Sequence, residues 1–223
     1  MKPREILDRT ETPDGETMEL SIEAGHHVIR INRVPLMTSA TYGSEQAMAE
    51  LAAEHLGARA SSASVLVGGL GMGFTLRATL DAFGSEAKVM VAELLPDLVR
   101  YNRGPLRDLA NDPLADPRVR LYQGDVRNAL GKGTWDAILL DVDNGPDAFT
   151  MEKNARLYGN HGLSRIESLL HPGGILVVWS AYESPDFKAR LQRAGLDAGA
   201  KRVRARGKIK KGAMHILYFG KKR

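Results

Sequence analysis

The sequence contains no cysteine among its 223 residues. This absence excludes a disulfide framework, a thiolate metal site and a cysteine nucleophile. The six histidines show no metal-ligand spacing, so we expect no metal. No apolar run approaches the roughly 20 residues of a membrane span, and the first residues lack the apolar core of a secretory signal. We therefore expect a cytoplasmic protein without a membrane partner.

Acidic residues are missing from one end of the sequence. Ten of the 31 lysines and arginines, and none of the 27 acidic residues, lie in residues 201–223. A basic segment of this kind can neutralise nucleic-acid phosphates. Residues 201–211 have no interleaved aromatic side chains, however, and a solvated hairpin has the same composition. A nucleic-acid partner is therefore the less favoured interpretation.

Residues 1–41 differ from the rest of the chain. Thr17–Glu23 alternates between apolar and polar residues, and the runs 27–31 and 33–37 follow it closely. This pattern predicts a small antiparallel hairpin or meander. Such a segment is too small to stand alone, so we expect it to pack on the main domain or on a second subunit. A homodimer is our expectation.

Residues 42–223 alternate between strand and helix signals. Continuous apolar runs at 65–67, 89–91 and 138–140 indicate strands that are buried on both faces of a sheet. The predicted strands are 64–67, Lys88–Glu93, 119–122, 135–141, 174–179, 202–205 and 215–219. The predicted helices are 44–56, 74–83, one that begins at 96, one that follows 125, 164–170 and 185–194. Ser44 is the predicted N-cap of the first helix. The pattern predicts an α/β fold with a doubly wound, mostly parallel sheet.

A glycine-rich loop joins the first buried strand to a helix, with glycine at Gly69, Gly71 and Gly73 and with Leu70 between the first two. Glycine lets the backbone approach a ligand at the carboxyl end of a strand. A dinucleotide motif would require glycine where Phe74 stands, and a phosphate-binding P-loop would require a following lysine. The loop therefore suits a nucleoside without phosphates, and a tight turn without a ligand is the alternative.

Two acidic residues follow the next two strands. Glu93 ends the second strand 22 residues after Gly71, where a carboxylate reaches ribose hydroxyls. Asp125 follows the third strand, where it can accept from an adenine amino group. With their neighbours Leu94 and Val126 they complete the predicted adenosine site. The alternatives are a solvated strand end for Glu93 and a helix N-cap for Asp125.

A third acidic group, Asp141, Asp143 and Asp147, follows the fourth strand. An amine must lose a proton before it can act as a nucleophile, and a carboxylate within hydrogen-bond reach can accept that proton. Three acids at one edge also favour a cationic acceptor. We therefore name these three as catalytic candidates. A simple turn is the alternative.

These features resemble the class I S-adenosylmethionine-dependent methyltransferase fold and, within it, the spermidine synthase family of polyamine aminopropyltransferases. The resemblance covers the N-terminal β segment, residues 65–73, Glu93, 124–125, 135–141 and 170–174. That family transfers an aminopropyl group from decarboxylated S-adenosylmethionine to putrescine and leaves methylthioadenosine. The resemblance implies that Glu93 binds ribose, Asp125 adenine and Asp141 the amine of the donor.

The sequence departs from the family pattern at three motifs. Leu70 and Gly71 replace a glycine and an aspartate of the family loop, G-G-G-D-G-G. Asn144 stands where the family has the second aspartate of D-[ST]-[ST]-D, and two residues before Gly-Pro are missing. The Tyr-x-Glu motif on the acceptor side is lengthened, from Tyr42 to Glu45. Tyr42, Glu45 and Tyr158 are therefore weaker candidates for the acceptor wall.

Three functions remain open on the sequence. The first is aminopropyl transfer to a small amine, the second is methyl transfer from S-adenosylmethionine, and the third is nucleoside binding without catalysis. An acid at Asp141 favours the decarboxylated donor, because a donor carboxylate beside it would be repelled. The donor substrate is accordingly S-adenosylmethionine or its decarboxylated form.

Overall fold

The computed structural model describes residues 4–142, 146, 156–207 and 212–223. Two sheets organise them. The first sheet is antiparallel and its four strands have the order β1-β2-β3-β4, with the bounds β1 Glu5–Glu11, β2 Thr17–Glu23, β3 His26–Ile31 and β4 Val34–Thr38. None of the helices in the described part has the length and apolarity that crossing a membrane requires.

The N-terminal sheet packs on the main domain through one face. Met18, Leu20 and Ile29 are fully buried on that face and share an apolar cluster with Met72 and Tyr101 of the main domain. The alternation of β2 thus predicts its buried face correctly. The predicted hairpin or meander is a meander with one more strand, β1.

Strand β1 was not predicted because it has little apolar alternation. Its residues are mostly exposed, and it lies at an edge of the sheet beside β2. Charged pairs help to hold it there, since Arg9 donates to Glu19 at 2.8 Å. Its place therefore depends on cross-strand partners rather than on a core pattern.

The main sheet has seven strands in the order β10-β11-β9-β8-β5-β6-β7. The strands are β5 Ser64–Gly68, β6 Lys88–Glu93, β7 Val119–Gln123, β8 Trp135–Leu140, β9 Leu170–Ser180, β10 Asp197–Arg204 and β11 Met214–Lys221. Strands β5 to β9 are parallel, and β10 and β11 form an antiparallel hairpin at one edge. The predicted doubly wound, mostly parallel sheet is confirmed.

Helices cover both faces of this sheet. Those that lie wholly within the described residues are α1 Gly43–Leu56, α2 Phe74–Ala82, α3 Pro96–Arg103, α4 Val126–Leu130, α5 Asn160–Leu169 and α6 Phe187–Arg193. Short 3-10 helices span Gly57–Ser61, Arg107–Ala110 and Pro113–Ala115. Strand β5 lies between β6 and β8, so the connections after β5 and β8 diverge to opposite sides. Ligands bind at such a switch point in open α/β sheets.

The start of α1 differs from the prediction. The helix begins at Gly43 after the N-cap residue Tyr42, which makes no side-chain capping bond. Ser44 lies inside the first turn, and its hydroxyl is 2.6 Å from Glu45 Oε2 and 2.8 Å from His215 Nδ1. Ser44 is therefore not the N-cap, because its hydroxyl is engaged by two side chains instead of by the backbone.

Candidate active site

The glycine loop approaches the end of β8 closely. Gly69, Gly71 and Gly73 have φ angles of +93°, +52° and +87°, a region that side-chain-bearing residues rarely adopt. A Cβ atom on Gly69 would lie 2.3 Å from the Asp141 carbonyl oxygen. Only glycine fits there, so the loop brings β5 and β8 together at the switch point.

Glu93 lies beneath this loop at the end of β6. Its Oε2 accepts the Leu70 backbone N–H at 2.9 Å and its Oε1 accepts the Leu95 N–H at 2.7 Å. Burial raises the pKa of this carboxyl, and the backbone hydrogen bonds, from Leu95 first, oppose the rise. Glu93 also lines the cavity described below, so it both holds the loop and faces the cavity.

Asn102 is a loop contact that the sequence did not reveal. Its Nδ2 donates to the Gly71 carbonyl and to the Leu98 carbonyl, both at 2.8 Å. The side chain is 1% exposed and comes from the buried face of α3. A polar residue on an otherwise apolar helix face is the one signal that could have indicated it.

Asp125 caps helix α4. Its Oδ1 accepts the Arg127 backbone N–H at 2.8 Å. The Arg127 guanidinium also donates to this carboxylate, and this contact lowers the Asp125 pKa. Asp125 is thus the N-cap of α4, as the alternative interpretation of the sequence predicted. Asp125 and Val126 also line the cavity.

Asp141 emerges from β8 directly beside the loop. Its backbone N–H donates to the Gly68 carbonyl at 2.8 Å, and its Oδ2 accepts the Thr75 hydroxyl of α2 at 2.5 Å. Burial raises the Asp141 pKa, and the hydrogen bond from Thr75 opposes the rise. The carboxyl is therefore held in one orientation by two elements that meet at the switch point.

Glu45 adds a second carboxyl on the same cavity, from the first turn of α1. Burial, followed by the negative charge of Asp141, raises its pKa to about 7, and the hydrogen bond from Ser44 opposes the rise. Two carboxyls that share a site cannot both ionise easily. The ionisation of each carboxyl therefore depends on the other, and the Glu45 pKa of about 7 lies in the range where proton transfer is efficient.

The cavity has a volume of about 900 Å³, within the usual size range of ligand sites. The N-terminal sheet contributes Met37, and the main sheet contributes Trp179 and His215. Six acidic residues line the cavity: Asp14, Glu16, Glu45, Glu93, Asp125 and Asp141. Arg127 is the one arginine or lysine among the described lining residues, and it is bound to Asp125.

The structure brings most of the predicted site residues together. Gly69, Leu70, Gly71, Glu93, Leu94, Asp125, Val126, Asp141 and Glu45 all line the cavity. Gly73 shapes the loop as the N-cap of α2. Asp143 and Asp147 lie outside the described residues.

The two predicted tyrosines lie elsewhere. Tyr42 is 41% exposed and stacks on Phe74 with ring centroids 4.6 Å apart; Phe74, not Tyr42, lines the cavity. Tyr158 is fully buried and packs edge-on against Phe187. The substrate role predicted for Tyr158 is therefore corrected to a core role, because a residue without exposed surface cannot touch a ligand.

Trp179 and His215 are cavity residues to which the sequence gave no acceptor role. They come from adjacent antiparallel strands, β9 and β11, and their rings meet edge-on at 4.7 Å. Burial lowers the His215 pKa, so the ring is neutral at pH 7. Their positions depend on the pairing of the C-terminal hairpin with the sheet, which local sequence does not reveal.

The structure has a class I methyltransferase-like α/β fold, with a cavity at the switch point of its main sheet. Comparison of the sequence with family profiles and with curated proteins gives no match. Comparison of the structure with solved structures gives close matches in fold. The chain has the fold of spermidine synthases.

Three solved structures illustrate this similarity. One is a spermidine synthase in complex with the transition state analogue AdoDATO, with a TM-score of 0.76, 14% identity and coverage of 98% of this chain and 73% of that chain. The spermidine synthase from Thermotoga maritima has a TM-score of 0.77 and 15% identity, with coverage of 98% of this chain and 73% of that chain. A probable spermidine synthase from Corynebacterium glutamicum ATCC 13032 has a TM-score of 0.68 and 19% identity, with coverage of 96% of this chain and 79% of that chain.

The raised pKa of Glu45 predicts a pH-dependent loss of stability. Below the unfolded-state pKa of 4.5 the carboxyl is protonated in both states, and above about 7 the folded state holds the charge in an unfavourable place. We expect Glu45→Gln to increase the free energy of unfolding by about 2 kcal/mol at pH 8 and to change it little at pH 4.5. Urea unfolding at both pH values measures this difference, and an equal gain at both would contradict it.

Proposed function

We propose that this protein is a transferase that moves an aminopropyl group from decarboxylated S-adenosylmethionine to a small amine. The charge of the cavity carries the proposal, because six carboxyls line it and its one arginine is bound to Asp125. An environment of this kind favours a ligand that is cationic at both the donor and the acceptor end. The spermidine synthase fold supports the same reaction class.

The donor nucleoside is proposed to lie along the carboxyl ends of β5, β6 and β7. Glu93 would accept from the ribose hydroxyls while it holds Leu70, and Asp125 would accept from the adenine amino group. Leu94 is 56% exposed although it is apolar, and Val126 lies on the same cavity. We propose that these two side chains pack on the nucleoside and that the backbone of Gly69 and its neighbours lies against the sulfur.

The proposed reaction uses the carboxyls of Asp141 and Glu45, which line the same cavity. Asp141 would hold the ammonium of the donor, at the opposite end of the propyl chain from the carbon that is attacked. Glu45, together with Asp143 and Asp147 as predicted from the sequence, would take a proton from the acceptor ammonium. The free amine lone pair then attacks the carbon next to the sulfonium, and the C–S bond breaks with its electrons on sulfur.

Methyl transfer from S-adenosylmethionine is the less supported alternative. That donor carries a carboxylate, which requires a cationic or amide partner. Arg127 donates to both oxygens of Asp125, so its charge is already engaged. Asp141 would face the donor carboxylate and repel it, whereas the decarboxylated donor leaves only an ammonium at this point.

A donor panel tests the proposal. The purified protein is incubated with decarboxylated S-adenosylmethionine and a set of di- and polyamines, and methylthioadenosine is measured. We expect turnover with at least one amine, and calorimetric binding that is at least about tenfold tighter for the decarboxylated donor than for S-adenosylmethionine, equivalent to ~1.4 kcal/mol. Release of S-adenosylhomocysteine would instead establish the methyltransferase, and binding without any product would establish a nucleoside-binding protein.

We further propose a cytoplasmic homodimer, with residues 1–41 and 42–223 as its two structural units and no metal in the site. Support for the dimer comes from the N-terminal sheet, where Ile6 and Val34 are apolar and exposed. They lie on β1 and β4, the two edge strands of this sheet, and an exposed edge strand can pair with a second chain. Light scattering should give twice the mass of one chain, and the mass of a single chain would exclude the dimer.

A further inference from the structure

A hydrogen-bonded chain joins three side chains from two separate elements at the acceptor side of the cavity. Ser44 Oγ lies 2.6 Å from Glu45 Oε2 and 2.8 Å from His215 Nδ1. Ser44 is 1% exposed, so water does not compete for its hydroxyl. Glu45 and His215 both line the cavity. The chain therefore runs from the wall of the substrate cavity, through a buried hydroxyl, to a ring that is neutral at pH 7.

The number of protons determines the direction of these hydrogen bonds. A serine hydroxyl has one proton, and an ionised carboxylate can only accept. When Glu45 is charged, Ser44 must donate to Glu45, and the contact with His215 then requires a proton on Nδ1. We assign this tautomer from the network. The edge-on packing of Trp179 against the ring at 4.7 Å restricts its rotation and keeps Nδ1 on Ser44.

We propose that Ser44 and His215 are positioning residues for Glu45: His215 Nδ1–H donates to Ser44, Ser44 donates to Glu45 Oε2, and the chain keeps this carboxylate charged and oriented as the proton acceptor for the acceptor ammonium. This role rests on the proposed aminopropyl transfer. The ammonium gives one proton to Glu45, and its nitrogen lone pair forms the new C–N bond while the C–S bond breaks. Neither Ser44 nor His215 touches the reacting atoms.

The groups that face Glu45 agree with this role. On the described residues, β8 contributes Asp141, whose charge opposes ionisation of Glu45, and α2 contributes the neutral Thr75, which is bound to Asp141. Strand β9 contributes the neutral Trp179. Ala205, directly after β10, accepts the Gly43 N–H at the start of α1, and its neighbours Arg204 and Arg206 are exposed. The hydroxyl of Ser44 is thus the side-chain contact that stabilises the charged form of Glu45 against burial and Asp141.

Substitution of Ser44 tests the chain through the pH profile. Ser44→Ala removes the donor that lowers the Glu45 pKa, so the acidic limb of kcat/KM should move up by about one pH unit, and the value of kcat/KM at pH 7 should fall about fivefold. The KM for the amine at pH 9 should change less than about threefold. An acidic limb that stays at the wild-type pH would overturn the proposal.

Two substitutions of His215 separate donation from packing. His215→Asn places a donor near the Nδ1 position and should keep the acidic limb at the wild-type pH. His215→Phe keeps a ring against Trp179 without a donor. It should shift the limb in the same direction as Ser44→Ala but by less, because Ser44 still donates to Glu45. The double variant with Ser44→Ala should be no worse than Ser44→Ala alone, because both substitutions break one chain. Equal shifts of the acidic limb in His215→Asn and His215→Phe would show that His215 only packs against Trp179, and this would overturn its role as a donor.

A measurement without turnover keeps this inference separate from the proposed function. Carbon-13 NMR of labelled glutamate gives the pKa of Glu45 directly, and nitrogen-15 NMR of labelled histidine gives the tautomer of His215. We expect the Nδ1–H tautomer above pH 8, and a Glu45 pKa that is higher in Ser44→Ala than in the wild type. A bare Nδ1 at pH 8 or an unchanged pKa would contradict the chain even in an active enzyme. The expected spectra in a protein that forms no product would contradict the transferase instead.

Discussion

Asp141→Asn should lower kcat about 10³-fold and leave the affinity for methylthioadenosine within about tenfold. Asparagine keeps the size of the side chain and still accepts the Thr75 hydroxyl, which lies 2.5 Å from Asp141 Oδ2. The substitution removes the negative charge that would bind the donor ammonium. Methylthioadenosine has no such ammonium, so its binding should depend little on this charge. Steady-state kinetics and calorimetry with the product measure the two effects.

The same variant should also change the pH profile. The charge of Asp141 raises the pKa of Glu45, so the acidic limb of kcat should move to lower pH in the residual activity. Asp81→Asn, on the exposed end of α2, is the matched control and should stay within about twofold of the wild type. If activity and affinity fall together and the unfolding midpoint falls with them, Asp141 has a structural role rather than a catalytic one.

Gly69→Ala should be the most damaging single substitution in the site. The added Cβ would lie 2.3 Å from the Asp141 carbonyl oxygen. The backbone of Asp141 cannot move away without breaking its hydrogen bond to Gly68, which joins β8 to β5. We expect the free energy of unfolding to fall by about 4 kcal/mol. The affinity of the remaining folded protein for methylthioadenosine should fall more than about 100-fold, since the loop would be displaced.

Gly195→Ala is the matched control for this effect. Gly195 has a φ of +92°, nearly equal to that of Gly69, but no atom lies within 4 Å of its added Cβ. We expect a loss of about 1 kcal/mol from backbone strain alone and unchanged nucleoside affinity. Urea unfolding of both variants measures the difference. Equal losses in the two variants would mean that the close approach to Asp141 contributes nothing.

The sheet and the residues of the proposed adenosine site could be identified from the sequence because their signals are local. Apolar runs such as 138–140 have one favourable environment, a strand covered on both faces. Glycines and acids that directly follow such strands must meet at the same edge of a parallel sheet. Glu93 and Asp141 were found by this rule, and both line the cavity.

The residues of the proposed acceptor side were harder to predict from the sequence. Tyr158 was chosen for its residue type in a loop, but helix packing buries it against Phe187. His215 was set aside for lack of ligand spacing, although β11 carries it to within 2.8 Å of Ser44. Partners 171 positions apart in the sequence leave no local pattern, because their contact depends on how the C-terminal hairpin pairs with β9.

By itself the sequence determined the parallel sheet, the glycine loop and the acids at its edge, since each follows from the periodicity and conformational range of neighbouring residues. Only the tertiary structure decided that Glu45 shares its cavity with Asp141 and that Ser44 connects Glu45 to His215. The physical reason is the range of the forces: steric limits and burial patterns act along a few residues. The pKa of a carboxyl depends on every charge and hydrogen bond that the fold brings around it.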